Sequence, residues 1–146
     1  NVKGYKADKH TERKIAKAAA RLTCAYAEAT VPKVTVITGQ AYGTAYLTMA
    51  SKALGADIVY AWPDAAIGMM DAKQAAKIMY DGESADVISE KAKAYEELQS
   101  SVQTAARRGQ VDLIIAAEDT RKYAVAAFEM LYTKSVSESP KKHGTK

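Results

Sequence analysis

A chain of 146 residues, 48% hydrophobic and 26% charged, can bury one sizeable core and has the composition of an ordinary soluble globular domain. No run approaches the roughly 20 uninterrupted apolar residues that span a bilayer, and the polar start Asn1-Val-Lys-Gly-Tyr-Lys lacks the apolar stretch of an export signal. The formal charge of +4 gathers toward the ends, among interleaved acids and without a helix-turn-helix, RNP or zinc-finger pattern. It reads as solvated surface rather than a nucleic-acid interface, with a contribution to holding a coenzyme's phosphates as the second reading.

The single cysteine, Cys24, lies in an apolar helical pattern and is expected to be a buried structural thiol. One cysteine and no export signal point to the cytoplasm. The first residue is Asn rather than Met, as expected of a processed or excised chain.

In chain order, Gly4 marks a turn and Asp8 is a candidate helix N-cap. From about Lys9 to Ala29 the residues Ile15, Ala18, Ala19, Leu22, Ala25, Tyr26 and Ala29 recur at helical spacing, so an amphipathic helix is predicted, its Ala-rich face suited to packing on a sheet. Pro32 ends it. Val34 to Thr38, β-branched throughout, predicts a buried strand; Gly39 and Gly43 bracket a turn, and a second helix runs from about Thr44 to a C-terminal glycine at Gly55. Asp57 to Ala61 reads as a strand, Trp62-Pro63-Asp64 as a turn, and Ala66 to Met70 as another strand. Asp71 caps a short helix, Ala72 to Tyr80. Ser84 caps a polar helix, Ala85 to Gln99, expected on the surface or against a partner. A further helical turn or two spans 101 to 108, Gly109 breaks it, and Val111 to Ile115 is strand-like. The last helix, Glu118 to Thr133, shows Tyr123, Ala127, Phe128 and Leu131 on one face. With no linker rich enough to divide the chain, residues 1–134 read as one α/β domain and 135–146 as a polar tail.

The chemistry-bearing unit is strand, glycine turn, helix: Val34 to Thr38, then Gly39-Gln40-Ala41-Tyr42-Gly43-Thr44-Ala45-Tyr46. A helix starting after such a turn leaves its first N–H groups without intrahelical partners, at the positive end of its dipole. Small residues at 43 to 45 let a substrate oxygen approach them, as stabilisation of a developing oxyanion requires. On these residues alone, a tight α/β connection with no chemistry is the commoner meaning.

The run AYAEATVPKVTVITGQAYGTAYLTMASKALGADIVYAWPDAAIGMM resembles the carboxyltransferase β-subunits of biotin-dependent acyl-CoA carboxylases and decarboxylases of the propionyl-CoA and methylmalonyl-CoA type. So do Tyr95 to Leu98, Ala105 to Asp112, Glu118 to Arg121 and Lys141-Lys142-His143-Gly144, in order. The resemblance implies a crotonase-type fold of repeated β-β-α turns and places this chain in the last part of the C-terminal half of such a subunit. It implies carboxyl transfer between biotin, on a carrier protein, and an acyl-CoA, with no metal and no side-chain nucleophile. It carries the backbone oxyanion hole of the biotin side to Thr44 and Ala45, preceded by Gly43. It places substrate contacts at Tyr46 and at Leu47, the acyl-selectivity position, and Tyr5 in the packing role of a loop phenylalanine. His10 and His143 are given no role.

Three departures stand out. The family's Gly-Gly is Gly43-Thr44, its Arg-Lys before Ala-Tyr-Gly is Gly39-Gln40, and its Pro-Gly-Phe loop is Lys3-Gly4-Tyr5 with Lys6-Ala7-Asp8-Lys9 following. The expected function is a small subunit or fragment of a carboxyltransferase or decarboxylase, inactive without an N-terminal-half partner and working in a homo- or hetero-oligomer. The alternatives are a non-catalytic structural or regulatory subunit, favoured by the three departures, and a crotonase-type hydratase or isomerase, for which no placed Glu pair is found.

Overall fold

A computed structural model describes residues 1–6 and 8–136. The predicted tail beyond 136, including Pro140, His143 and the Lys141-Lys142-His143-Gly144 block, lies outside the described residues, as does Ala7.

The helix α1 spans Glu12–Glu28. It begins one turn later than predicted because Asp8 closes a tight turn instead of capping the helix: its Oδ1 accepts from the N–H groups of His10 and Thr11 at 2.9 and 2.8 Å. Then follow β1 (Val34–Ile37), β2 (Gln40–Tyr42), α2 (Gly43–Thr48), a 3₁₀ turn (Lys52–Leu54), β3 (Ile58–Ala61) and β4 (Ala66–Gly68). The rest is α3 (Ala72–Met79), α4 (Ala85–Tyr95), a π-turn (Glu96–Ser100), α5 (Val102–Arg107), β5 (Leu113–Ile114), a second 3₁₀ turn (Ala117–Asp119) and α6 (Thr120–Met130).

The strands form two parallel sheets, one ordered β1-β3-β5 and one β2-β4. Successive turns of the chain lay one strand in each sheet: β1 then β2, and β3 then β4 beside them. This is the β-β-α spiral of a crotonase-like fold, and it corrects the reading of residues 39–43 as a bare turn. Gln40–Tyr42 is a strand in register with Ala66–Gly68. Its outer edge is met by Val2, which donates to the Gln40 carbonyl and accepts from Tyr42 N–H at 2.9 Å.

Alternation along β3 divides the core. Val59 and Ala61, both fully buried, point between the sheets and pack with Ile37, Ala41, Ile67, Val102 and Ala105. Tyr60 points to the other face and packs with Ile115 and Ala127 of α6, beside Val34 and Val36. Each fully buried Val or Ile contributes on the order of 1.5–3 kcal/mol. Two hydrogen bonds fasten α6: Trp62 Nε1 to Thr120 Oγ1 at 3.0 Å, and Tyr60 Oη to the Tyr123 carbonyl at 3.3 Å.

Other expectations are revised. The helix predicted to run from Thr44 to Gly55 stops at Thr48 because hydroxyls take up its carbonyls: Thr48 bonds the Ala45 carbonyl, Ser51 that of Leu47, and Thr35 that of Ala50. Ala50 turns the chain at φ +51° before the 3₁₀ turn, and Gly55 closes that turn at φ +87°. The helix α1 packs mainly on α2 rather than on a sheet, buries no residue fully, and leaves Leu22 exposed and Cys24 half-buried. The polar helix α4 is not a lone surface helix: it pairs with α3, with Ala92, Ala75 and Ala76 buried. On α6, Phe128 lies outside the buried face, which runs through Tyr123 and Ala127.

Candidate functional site

Parallel pairing brings the C-terminal ends of β2 and β4 to one edge, where β2 runs directly into α2. Gly43 makes that corner at φ +62°, a left-handed conformation that costs a residue with a Cβ roughly 1–2 kcal/mol. A Cβ there would also stand 3.1 Å from the Met69 carbonyl oxygen. Both constraints select glycine, so the backbone of β2 can close against that following β4.

Beside this corner lies a cleft of roughly 100 Å³. Gly43, Tyr46 and Leu47 form one wall, and Ile67 and Gly68 of β4 with Met69 after it the floor. Thr44 is exposed and Ala45 is buried beneath it. The far wall comes from residues to which sequence reasoning gave no site role: Tyr95 and Gln99 around the π-turn, and Arg108 and Gln110 after α5. The Arg108 guanidinium donates to Gln99 Oε1 at 2.5 Å. These residues lie more than fifty positions from Gly43, and no local motif joins them. The available signal was the polar helix predicted to run unbroken through Gln99, which the structure interrupts with a π-turn, a feature frequent near functional sites.

Of the sequence-predicted site residues, Gly43, Tyr46 and Leu47 share the cleft. Thr44 and Ala45 are not among its lining residues, and neither is Tyr5. Its hydroxyl meets Thr48 Oγ1 at 2.7 Å and braces α2 at its C-terminal end, a packing role rather than a direct contact. Burial raises the phenol of Tyr46 above its ordinary pKa; burial, then the negative charges of Asp71 and Glu96, do the same for Tyr42. Both stay neutral near pH 7, and Tyr46 is a wall of the cleft, not a base. Among the described residues no group of His, Cys, Asp and Glu could hold a metal ion, and no helix is long and apolar enough to cross a membrane.

The carboxyl transferase domain model matches residues 1–145. The methylmalonyl-CoA carboxyltransferase 12S subunit of Propionibacterium freudenreichii is 45% identical over 131 residues, covering 86% of this chain and 25% of that protein. The propionyl-CoA carboxylase beta chain of Cereibacter sphaeroides is 47% identical, covering 88% of this chain and 26% of that protein. The crystal structure of the transcarboxylase 12S hexamer superposes with a TM-score of 0.92 at 41% identity, over 99% of this chain and 28% of that one. The geranyl-CoA carboxylase beta subunit of P. aeruginosa, at 20% identity, shares the fold with a TM-score of 0.77, over 96% of this chain and 29% of that one. This chain therefore spans about a quarter of the length of the curated relatives it matches. With the family model matching almost end to end and the spiral superposing on the 12S subunit, the chain belongs to the carboxyl transferase domain family.

Proposed function

We propose that this chain is a small subunit or fragment of a biotin-dependent acyl-CoA carboxyltransferase or decarboxylase, and that it supplies the oxyanion hole of the carboxybiotin side. The observation that carries the reading is the Gly43 corner, whose left-handed backbone opens α2 onto the cleft. The residues present suit a ureido ring: the Gly43 backbone, with Thr44 and Ala45 following it, on one side, and the apolar walls Tyr46, Leu47 and Ile67.

Biotin, when bound, supplies the ring atom that carries and releases the carboxyl group. The chain's part is electrostatic. The N–H groups of Thr44 and Ala45 donate to the oxygen on which negative charge develops, and they are fixed before reaction, so no reorganisation is needed. Tyr46 and Leu47 exclude water from that oxygen, which strengthens the donors. Leu47, half-exposed on the cleft wall, faces the acyl neighbourhood and favours an apolar acyl group. The acyl-CoA half, the biotin carrier and the remaining oligomer contacts come from partners, and the assembly works in the cytoplasm.

The test combines the purified chain with an N-terminal-half carboxyltransferase subunit and a malonyl-type acyl-CoA, and follows carboxyl transfer to a free biotin derivative. Transfer that needs both components supports the reading. Stable assembly with no transfer, by the wild type and by a Thr44→Gly variant, would instead assign the chain a structural or regulatory role.

A further inference from the structure

Among the described residues lining the cleft, Arg108 carries the one formal charge and none is a carboxylate. The guanidinium makes no ion pair among the described residues. Its one side-chain partner among the described residues is the neutral Gln99 oxygen, which leaves part of its planar fork open to an acceptor. A cation placed there to hold helices together would be expected to meet an acid, as Lys52 meets Asp112 and Lys134 meets Asp57.

We propose that Arg108, oriented by Gln99, is the carboxylate anchor of the cleft. It holds the carboxyl group that moves between donor and acceptor, opposite the N–H groups of the Gly43 corner. The inference rests on the reading of the cleft given above and names the group that binds there. A guanidinium suits the task because its flat, paired donors match a carboxylate's two oxygens, and a lysine's point charge does so less well. Gln99 is a positioning residue: its oxygen takes one donor and fixes the plane of the others.

The experiment titrates the isotope-labelled 146-residue chain with malonate, and separately with malonamide, which has the same size but no charge, and follows NMR shifts. Malonate should produce saturable shifts at the Arg108 side-chain N–H and at the backbone amides of Gly43 and Thr44. Malonamide should bind at least about tenfold more weakly. Arg108→Gln should weaken malonate binding about tenfold or more, Arg108→Lys should recover part of it, and Gln99→Leu should cost a few-fold. Equal binding of the two probes by the wild type would overturn the proposal without any variant. So would an Arg108→Gln protein that melts earlier yet binds malonate unchanged, since that is the mark of a structural arginine. Malonate anchored by Arg108 beside carboxyl transfer indifferent to Thr44 would leave this inference standing and remove the oxyanion-hole reading; the reverse pair of results would do the opposite.

Discussion

At Gly43 a single missing Cβ decides whether two strands can meet. Gly43→Ala combines the left-handed strain with a 3.1 Å approach to the Met69 carbonyl, so it should lower unfolding free energy by about 1–3 kcal/mol in urea melts. Ser100 poses the opposite case. Its hydroxyl is fully buried against Gly68 and has no hydrogen-bond partner among the described residues, and an unsatisfied buried hydroxyl costs about 1–3 kcal/mol. Ser100→Ala should therefore leave stability unchanged or raise it by about 1 kcal/mol in the same melts; a loss above 1 kcal/mol would mean the hydroxyl is bonded. Asp57 supplies the pH dependence. Burial pushes its carboxyl upward, but the Lys134 ammonium at 2.8 Å and the Lys33 N–H at 2.7 Å outweigh that and leave its pKa below the ordinary carboxylate value. A depressed folded-state pKa gives stability that is present above the unfolded value near 3.8 and is lost as pH falls through the folded value. Asp57→Asn should accordingly destabilise the protein at pH 7 and flatten the fall in melting temperature below pH 4, which thermal scans at several pH values will show.

Among the elements, β3 and α1 are the extremes of attachment. The strand β3 is central in its sheet and buries Val59 completely, whereas α1 buries no residue fully. Val59→Ala should cost about 2–3 kcal/mol, and Leu22→Glu on α1 less than about 0.5 kcal/mol. Amide hydrogen exchange should likewise be slowest in β3 and fast in α1. Most elements were legible in the sequence because a strong local signal marks each one: β-branched Val34 to Ile37, the Asp71 and Ser84 caps, and Gly109 at φ +74°. The strand β2 was not, since Gln40-Ala41-Tyr42 is three residues long with one good strand former, and pairing to β4 makes it a strand. The split of the second helix was hidden for a similar reason. It depends on Thr35, far in sequence, taking the Ala50 carbonyl.

For the whole molecule, the spiral explains why the near half of the cleft could be read and the far half could not. Gly43, Tyr46 and Leu47 fall within one short contiguous run, so a recognisable motif carries them. Arg108 and Gln99 reach the cleft only because the chain turns once more through α3, α4 and the π-turn before returning at β5. The chain spans about a quarter of its relatives' length, and on the function proposed above it brings this cleft to a larger assembly that carries out the transfer. The most direct test of that claim is the rate of carboxyl transfer by the reconstituted assembly when Thr44 is replaced by proline. The replacement deletes a single N–H in the first turn of α2, where a helix tolerates proline. With an unchanged circular dichroism spectrum, loss of one oxyanion donor should lower the rate about 10²- to 10³-fold. A rate equal to that of the wild type, in a folded and assembled variant, would contradict the account.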